Sequence, residues 1–502
     1  MPTCSLPSDP SLEHLRNQAK RLQRLVRDRA ADALALVREF HPRFAAATAD
    51  SPELDAFTRA DAQLVVARRY GFPSWNRLRQ HLGVVERYSR SPHREAVGGP
   101  VEDYAALVDE FLRLACLVYS NDDPARWERA TALLAERPAL GGASLHAAAA
   151  AGDVAAAERL IAADPEAVRR EGGPHRWEPL LYAAYTRVPA TRPGQSTLEV
   201  ARLLLAHGAD ANSGYLWEGL PSPFTALTGA FGRGEGDPPP HEHEEALATL
   251  LLGAGADPND AQTIYNCSWY PGNAYLELLL RHGFGRGSGG PWHARLAPAH
   301  PTPQELAQDA LIWAVFYDNP ERARLLVASG VVDLDGYGTR HPITGRRNPL
   351  ALALSTGNAE IADELLAAGA TPPVLDGVER FAAAALRGDR AAVEALAAEE
   401  PGVLDAARAR EPGLIARAAE HGRLPAVRLL AELGFDVNHL QRKTALHEAA
   451  WRGDLDVVEA LLELGADPTI ADRDHHAPPA GWAEHNGKTE VAERLHRAVD
   501  AP

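Results

Sequence analysis

The stretch Thr444–Ile470, TALHEAAWRGDLDVVEALLELGADPTI, constrains this chain more than any other, because it spells two short helices joined by tight turns. Thr444 is placed to cap a helix whose Leu446, Ala449 and Ala450 share one face, and Gly453 supplies the left-handed residue that ends it. A second amphipathic helix follows with Val457, Val458, Leu461 and Leu462 as its apolar stripe, and Gly465 then Asp467-Pro468 turn the chain away. Helices this short cannot bury their apolar faces alone, so the unit must stack on copies of itself. The copies are present from His146, Leu180, Pro349 and Ala416.

The pattern resembles the ankyrin repeat, T-P-L-H-x-A-A, then Gly, then V-V-x-x-L-L-x-x-G-A-D-x-N; Thr444-Ala445-Leu446-His447 departs from it only at the proline. The resemblance implies an all-α, ankyrin-repeat solenoid of helix-turn-helix units, in a bacterial style with a small N-terminal helical extension. Aligning on the residue that ends each first helix gives Asp122, Gly152, Arg187, Gly234, Gly272, Asp318, Gly357, Gly388, Gly422, Gly453 and Gly487, about eleven units. Most steps are close to the ~33-residue ankyrin period. Insertions fall near 187–197, 232–243, 284–306 and 336–348.

The resemblance also implies a function, protein–protein binding on a concave face and its turn tips, and places the contacts on the two residues before each terminator. That selects Tyr185, Arg233, Tyr270, Phe316 and Tyr317 in the degenerate repeats, which carry the long loops. In the cleaner C-terminal repeats it selects Arg387, His421, Trp451, Arg452 and His485. Tyr, Trp and Arg dominate interface energetics. Trp177, Tyr215, Trp217 and Trp292 add aromatics at turn tips, while Trp269 and Trp313 fall at helix-interior positions that suit gap filling equally well. His146 and His447 occupy the T-P-L-H position, where the imidazole ties neighbouring repeats together.

Ahead of the array, Leu12, Leu15, Ala19, Leu22, Leu25 and Val26 recur at helical spacing within residues 11–48, with Arg16, Lys20, Arg24 and Arg27 opposite. Further helices are expected over Asp61–Tyr70 and from a Ser74 cap through Leu82, burying Tyr70, Phe72 and Trp75. The expected organisation is a basic helical domain at 1–87, a Pro/Gly-rich linker at 88–100 and the array at 101–502. Residues 11–90 carry +6, leaving −23 on the remainder of a chain at −17. An acidic array argues against nonspecific nucleic-acid binding, though DNA binding through the N-terminal helices is a secondary alternative. The three dispersed cysteines form no disulfide framework, and with no secretory signal or 18-residue apolar run the expected location is cytoplasmic, off the membrane.

No catalytic motif stands out. There is no G-x-S-x-G, and the GRGEG and GRGSGG clusters lack the strand and Lys-Ser/Thr of a phosphate cradle. His241 and His243 in HEHEE could chelate a divalent ion, but the spacing matches no structural zinc signature, so a solvated loop is expected there. The reading is therefore no metal, no cofactor and a protein partner. A small-molecule ligand, held in a pocket or an unrecognised active site formed by the 232–243 and 284–306 loops, is the main alternative.

Overall fold

The computed structural model describes residues 4, 6–7, 10–95, 97, 103–120, 122–268, 270–339 and 347–500. Trp269, residues 340–346 of one insertion, and 96 and 98–100 of the expected linker lie outside the described residues. The chain divides into two compact units, residues 1–306 and 307–502.

The first unit opens with α1 (Leu12–Arg27), α2 (Ala31–Phe40), α3 (Arg59–Arg69), α4 (Trp75–Tyr88) and the two-residue β1 (Ser89–Arg90). Helical pairs follow: α5 (Tyr104–Ala115) with α6 (Pro124–Glu136), α7 (Leu145–Ala151) with α8 (Val154–Ala163), and α9 (Pro179–Tyr185) with α10 (Thr197–Ala206). After β2 (Gly214–Trp217) and β3 (Pro223–Thr225) come α11 (Ala226–Phe231) with α12 (Glu244–Gly253), α13 (Ala261–Cys267) with α14 (Ala274–Arg281), and the short α15 (Pro291–Leu296).

From α16 (Pro303–Phe316) and α17 (Pro320–Ser329) onward the pairs are α18 (Pro349–Thr356) with α19 (Ala359–Ala367), and α20 (Gly377–Leu386) with α21 (Arg390–Glu399). An added α22 (Val403–Arg410) precedes α23 (Leu414–Glu420) with α24 (Leu424–Glu432), α25 (Ala445–Arg452) with α26 (Leu455–Glu463), and α27 (Pro479–His485) with α28 (Thr489–Asp500). First helices stack on first helices, α7 on α9 on α11 and α23 on α25 on α27. The fold is all-α in character.

The expected stripes form the core. Leu446, Ala449, Ala450, Val457, Val458 and Leu461 are all within 1% of fully buried. Gly152, Gly357, Gly388, Gly422, Gly453 and Gly487 end first helices with φ between 65° and 76°, a region that costs any residue with a Cβ about 1 kcal/mol or more. In the degenerate repeats the expected terminators are displaced: α9 ends at Tyr185, α11 at Phe231 before Gly232, and α13 at Cys267.

The N-terminal helices bury Leu15, Ala19, Leu22 and Val26 of α1, and Ser11, Thr58 and Ser74 cap α1, α3 and α4. The helix expected over 11–48 breaks at Arg29, which takes a positive φ of 55° and separates α1 from α2. Phe72 is buried, whereas Tyr70 and Trp75 are half-buried.

One feature departs from helices. β1 pairs in parallel with β2, matching Ser89 to Leu216 and Arg90 to Trp217, and β2 pairs antiparallel with β3. Ser89 and Arg90 belong to the stretch read as a linker; here they form an edge strand, and Arg90 is buried against Glu171.

Candidate functional site

His447 shows how neighbouring repeats are joined. Its Nδ1 accepts from Thr444 Oγ1 at 2.8 Å and from the Thr444 N–H at 3.2 Å, which leaves Nε2–H to donate to the Ala477 carbonyl at 3.1 Å. Burial holds this imidazole below its ordinary pKa. It is the inter-repeat tie expected of that position.

Across this joint α25 and α27 line an aromatic cleft of about 400 Å³ bounded by Trp451, His475, Ala477, Gly481, Trp482 and His485. The Trp451 and Trp482 rings meet edge to face at 5.7 Å, and His485 lies nearly parallel to Trp451 at 6.1 Å. Asp472 fixes the second indole. Its carboxylate accepts the Trp482 Nε1–H at 2.9 Å and the backbone N–H groups of Asp474, His475 and Ala477. Burial opposes ionisation there, but the His475, Trp482, Ala477 and Asp474 donors outweigh it and hold the pKa well below the usual carboxylate range. Trp482 is thereby locked, while Trp451 stays 40% exposed.

A charged cleft of about 470 Å³ lies against α23 and α25, with Arg417, Glu420, Lys443 and Glu448 among its lining. Glu448 is 7% exposed and pairs with Lys443 Nζ at 2.8 Å. Burial raises its pKa; Lys443 opposes the shift and Glu420 adds to it.

The two clefts belong to a longer strip. Phe316 packs edge-on against Tyr317 at 5.2 Å and His421 at 5.7 Å. Arg452 donates to the Glu420 carbonyl at 3.3 Å and lies over Gly422. Next in sequence comes Trp451, which faces His485. Phe316, Tyr317, His421, Arg452, Trp451 and His485, six of the residues named from sequence, thus fall in one line at the ends of α16, α23, α25 and α27. Burial pushes His421 down to about 3, with Arg423, Arg452 and Arg417 adding to the shift, so it presents a neutral imidazole.

The structure disperses the others. Tyr185 is completely buried; its Oη donates to the Thr225 carbonyl at 2.9 Å and its ring packs on Trp177 at 5.1 Å. Arg233 is 7% exposed, with its guanidinium bound to Glu244 and the Phe231 carbonyl and stacked over Tyr270 at 4.0 Å. Tyr185 and Arg233 are therefore packing residues, and the surface role expected of them is corrected. Tyr270 is 38% exposed under Arg233, and Arg387 stands exposed just past α20.

Among the turn-tip aromatics, Trp177, Tyr215 and Trp292 are buried and Trp217 stacks on His93. His241, expected in a solvated loop, is 2% exposed and its Nδ1 accepts the His243 N–H at 3.0 Å. Burial, followed by the charge of Arg187, pushes it down to about 3.

The long loops are braces. Arg187 donates to the carbonyls of Ala184, Thr186, Gly229 and Pro239, tying the 232–243 loop to the ends of α9 and α11. The 284–306 loop folds α15 onto α4, where Trp292 and Leu296 pack with Val85 and Leu216. The cleft beside it, lined by Arg90, Glu171, Glu178, Ser213 and Trp292 among others, holds about 50 Å³, room for water rather than a metabolite.

Residues 381–472 match the family model for ankyrin repeats (3 copies), a span that runs from α20 to just past α26 and contains His421, Trp451 and Arg452. The chain therefore carries ankyrin repeats. Ankyrin repeats are generally protein–protein interaction modules. No curated protein matches the chain. Among the described residues no helix is long and apolar enough to cross a membrane.

Proposed function

We propose that the chain binds a protein partner along the strip from Tyr317 and Phe316 through His421 and Arg452 to Trp451 and His485, working as a cytoplasmic scaffold without covalent chemistry. The observation that carries this reading is the aromatic cleft: Trp451 is 40% exposed and opens onto about 400 Å³ beside a Trp482 whose indole is already held by Asp472. A partner side chain entering there meets preorganised aromatic surface, so little ordering cost is left to be met on binding. Arg452 beside it supplies the residue type that most often joins Trp in hot spots.

The test is retention of a partner from native lysate on the full chain, beside a Tyr317→Ala/Trp451→Ala double variant. We expect a protein held by the wild type and lost from the variant, with helicity and melting nearly unchanged. Equal retention by both would remove the strip from the account.

A further inference from the structure

Four arginines of the repeats are paired in a way that the cations of α1 are not. On the second helices of the C-terminal pairs they find a carboxylate on the neighbouring pair: Arg324 on Glu364, Arg390 on Glu432, Arg428 on Glu463 and Arg494 on Glu459. On α1, Arg16, Lys20, Arg24 and Arg27 are exposed, and among the described residues none has a carboxylate within ion-pair distance. Spacings of four, four and three residues put them on one face, at rises of about 6, 6 and 4.5 Å along the axis. Arg59 of α3, held by Gln23 of α1 at 2.9 Å, adds a fifth exposed cation to this side.

Two of the nearby acids are engaged elsewhere, while Asp28, the C-cap just past Arg27, is exposed. Asp55 is held by Arg29, and Asp61 by the Thr58 cap and His41. Glu13, one turn before Arg16, is the single acid of α1.

We propose that this stripe is a docking surface for the phosphate backbone of double-stranded nucleic acid. A straight row of cations over about 16 Å meets a strand that offers a phosphate every ~3.4 Å of duplex axis, about two cations for every three phosphates. Four of the five cations are arginines, whose planar fork matches a phosphate in two hydrogen bonds. A membrane surface fits less well, since the apolar residues of α1, Leu15, Ala19, Leu22 and Val26, are buried in the domain and leave nothing to insert. An acidic face of a second copy also fits less well, because the carboxylates arrayed most regularly on the repeats already hold arginines. With phosphate contacts alone, binding carries no base readout.

The experiment is fluorescence anisotropy of a labelled 20-base-pair duplex of arbitrary sequence with the full chain, from 50 to 200 mM salt. Binding should weaken on the order of a hundredfold over that range, as release of about four counterions requires. The R16Q/K20Q/R24Q/R27Q variant should retain its helicity and melting, lose at least about tenfold in affinity at 50 mM salt, and show a flatter salt dependence. Three outcomes would overturn the proposal. One is no duplex binding by the wild type at 50 mM salt. Another is an equal loss from R324Q/R390Q/R428Q/R494Q, which would make bulk charge the cause. The third is capture of phosphatidylserine vesicles without capture of the duplex.

Discussion

Trp482 can hold its ring against Trp451 only while Asp472 accepts its indole N–H, so one buried carboxylate sets the shape of the aromatic cleft. Asp472→Ala strands an indole donor and the N–H groups of Asp474, His475 and Ala477, each costly to leave unpaired. We expect a destabilisation of about 2–4 kcal/mol by urea unfolding, with partner binding lost as the cleft loosens. Trp451→Ala should behave differently. Its ring is 40% exposed, so stability should move by less than about 1 kcal/mol while partner affinity falls by about tenfold or more.

Glu448 adds a pH dependence with a definite sign. Burial raises its folded pKa, so the folded state holds a proton that the unfolded chain has released, and stability falls as pH rises from about 4.5 to about 7. Glu448→Gln should flatten that part of the stability profile in urea titrations. An unchanged slope would show that this carboxyl is not the titrating group.

The element scale explains which site residues were legible. In the C-terminal repeats a left-handed glycine follows every first helix from α18 to α27, directly at α18 and α25 and one residue further on at α20, α23 and α27; counting back from it therefore finds His421, Trp451, Arg452 and His485. The same register carries a signal that went unused. The residue five before the terminating glycine is Arg417, Glu448 and Trp482 in successive repeats, and all three line the two clefts. In the degenerate repeats the counting fails, because Arg187 caps the orphan carbonyls that a glycine turn would otherwise satisfy. Tyr185 then falls at the last turn of α9, inside a cluster with Trp177 and Tyr215 that no repeat pattern encodes. The β2–β3 hairpin was illegible for a related reason: its aromatic residues Tyr215 and Trp217 read as turn tips until a third strand pairs with them. At this scale α15 is the element to break. Trp292→Ala removes its buried anchor on α4 and should cost about 3–5 kcal/mol in the first unit, read as a separate early melting transition.

Across the first unit, the N-terminal helices and the repeats are one packed body. Val85 of α4 packs with Leu216, Trp292 and Leu296, Arg90 bonds Glu171, and β1 completes the sheet. The basic composition of residues 11–90 marked a separate domain in sequence, yet composition carries no record of an edge strand two residues long. We therefore expect that removing residues 1–95 exposes Leu216, Trp292 and Leu296 and lowers the melting temperature of the remaining first-unit repeats. A chain beginning at residue 96 that melts like the full protein would show the N-terminal helices to be an independent appendage.

The central claim is that partners dock on the strip closed by Trp451 and His485. The most direct measurement is site-specific photo-crosslinking in lysate, with benzoylphenylalanine placed at the exposed His485 in one variant and at the fully exposed Val374 in a control. The account predicts a discrete protein adduct from position 485 and none from 374. An adduct from 374 alone, or from neither position, would contradict it.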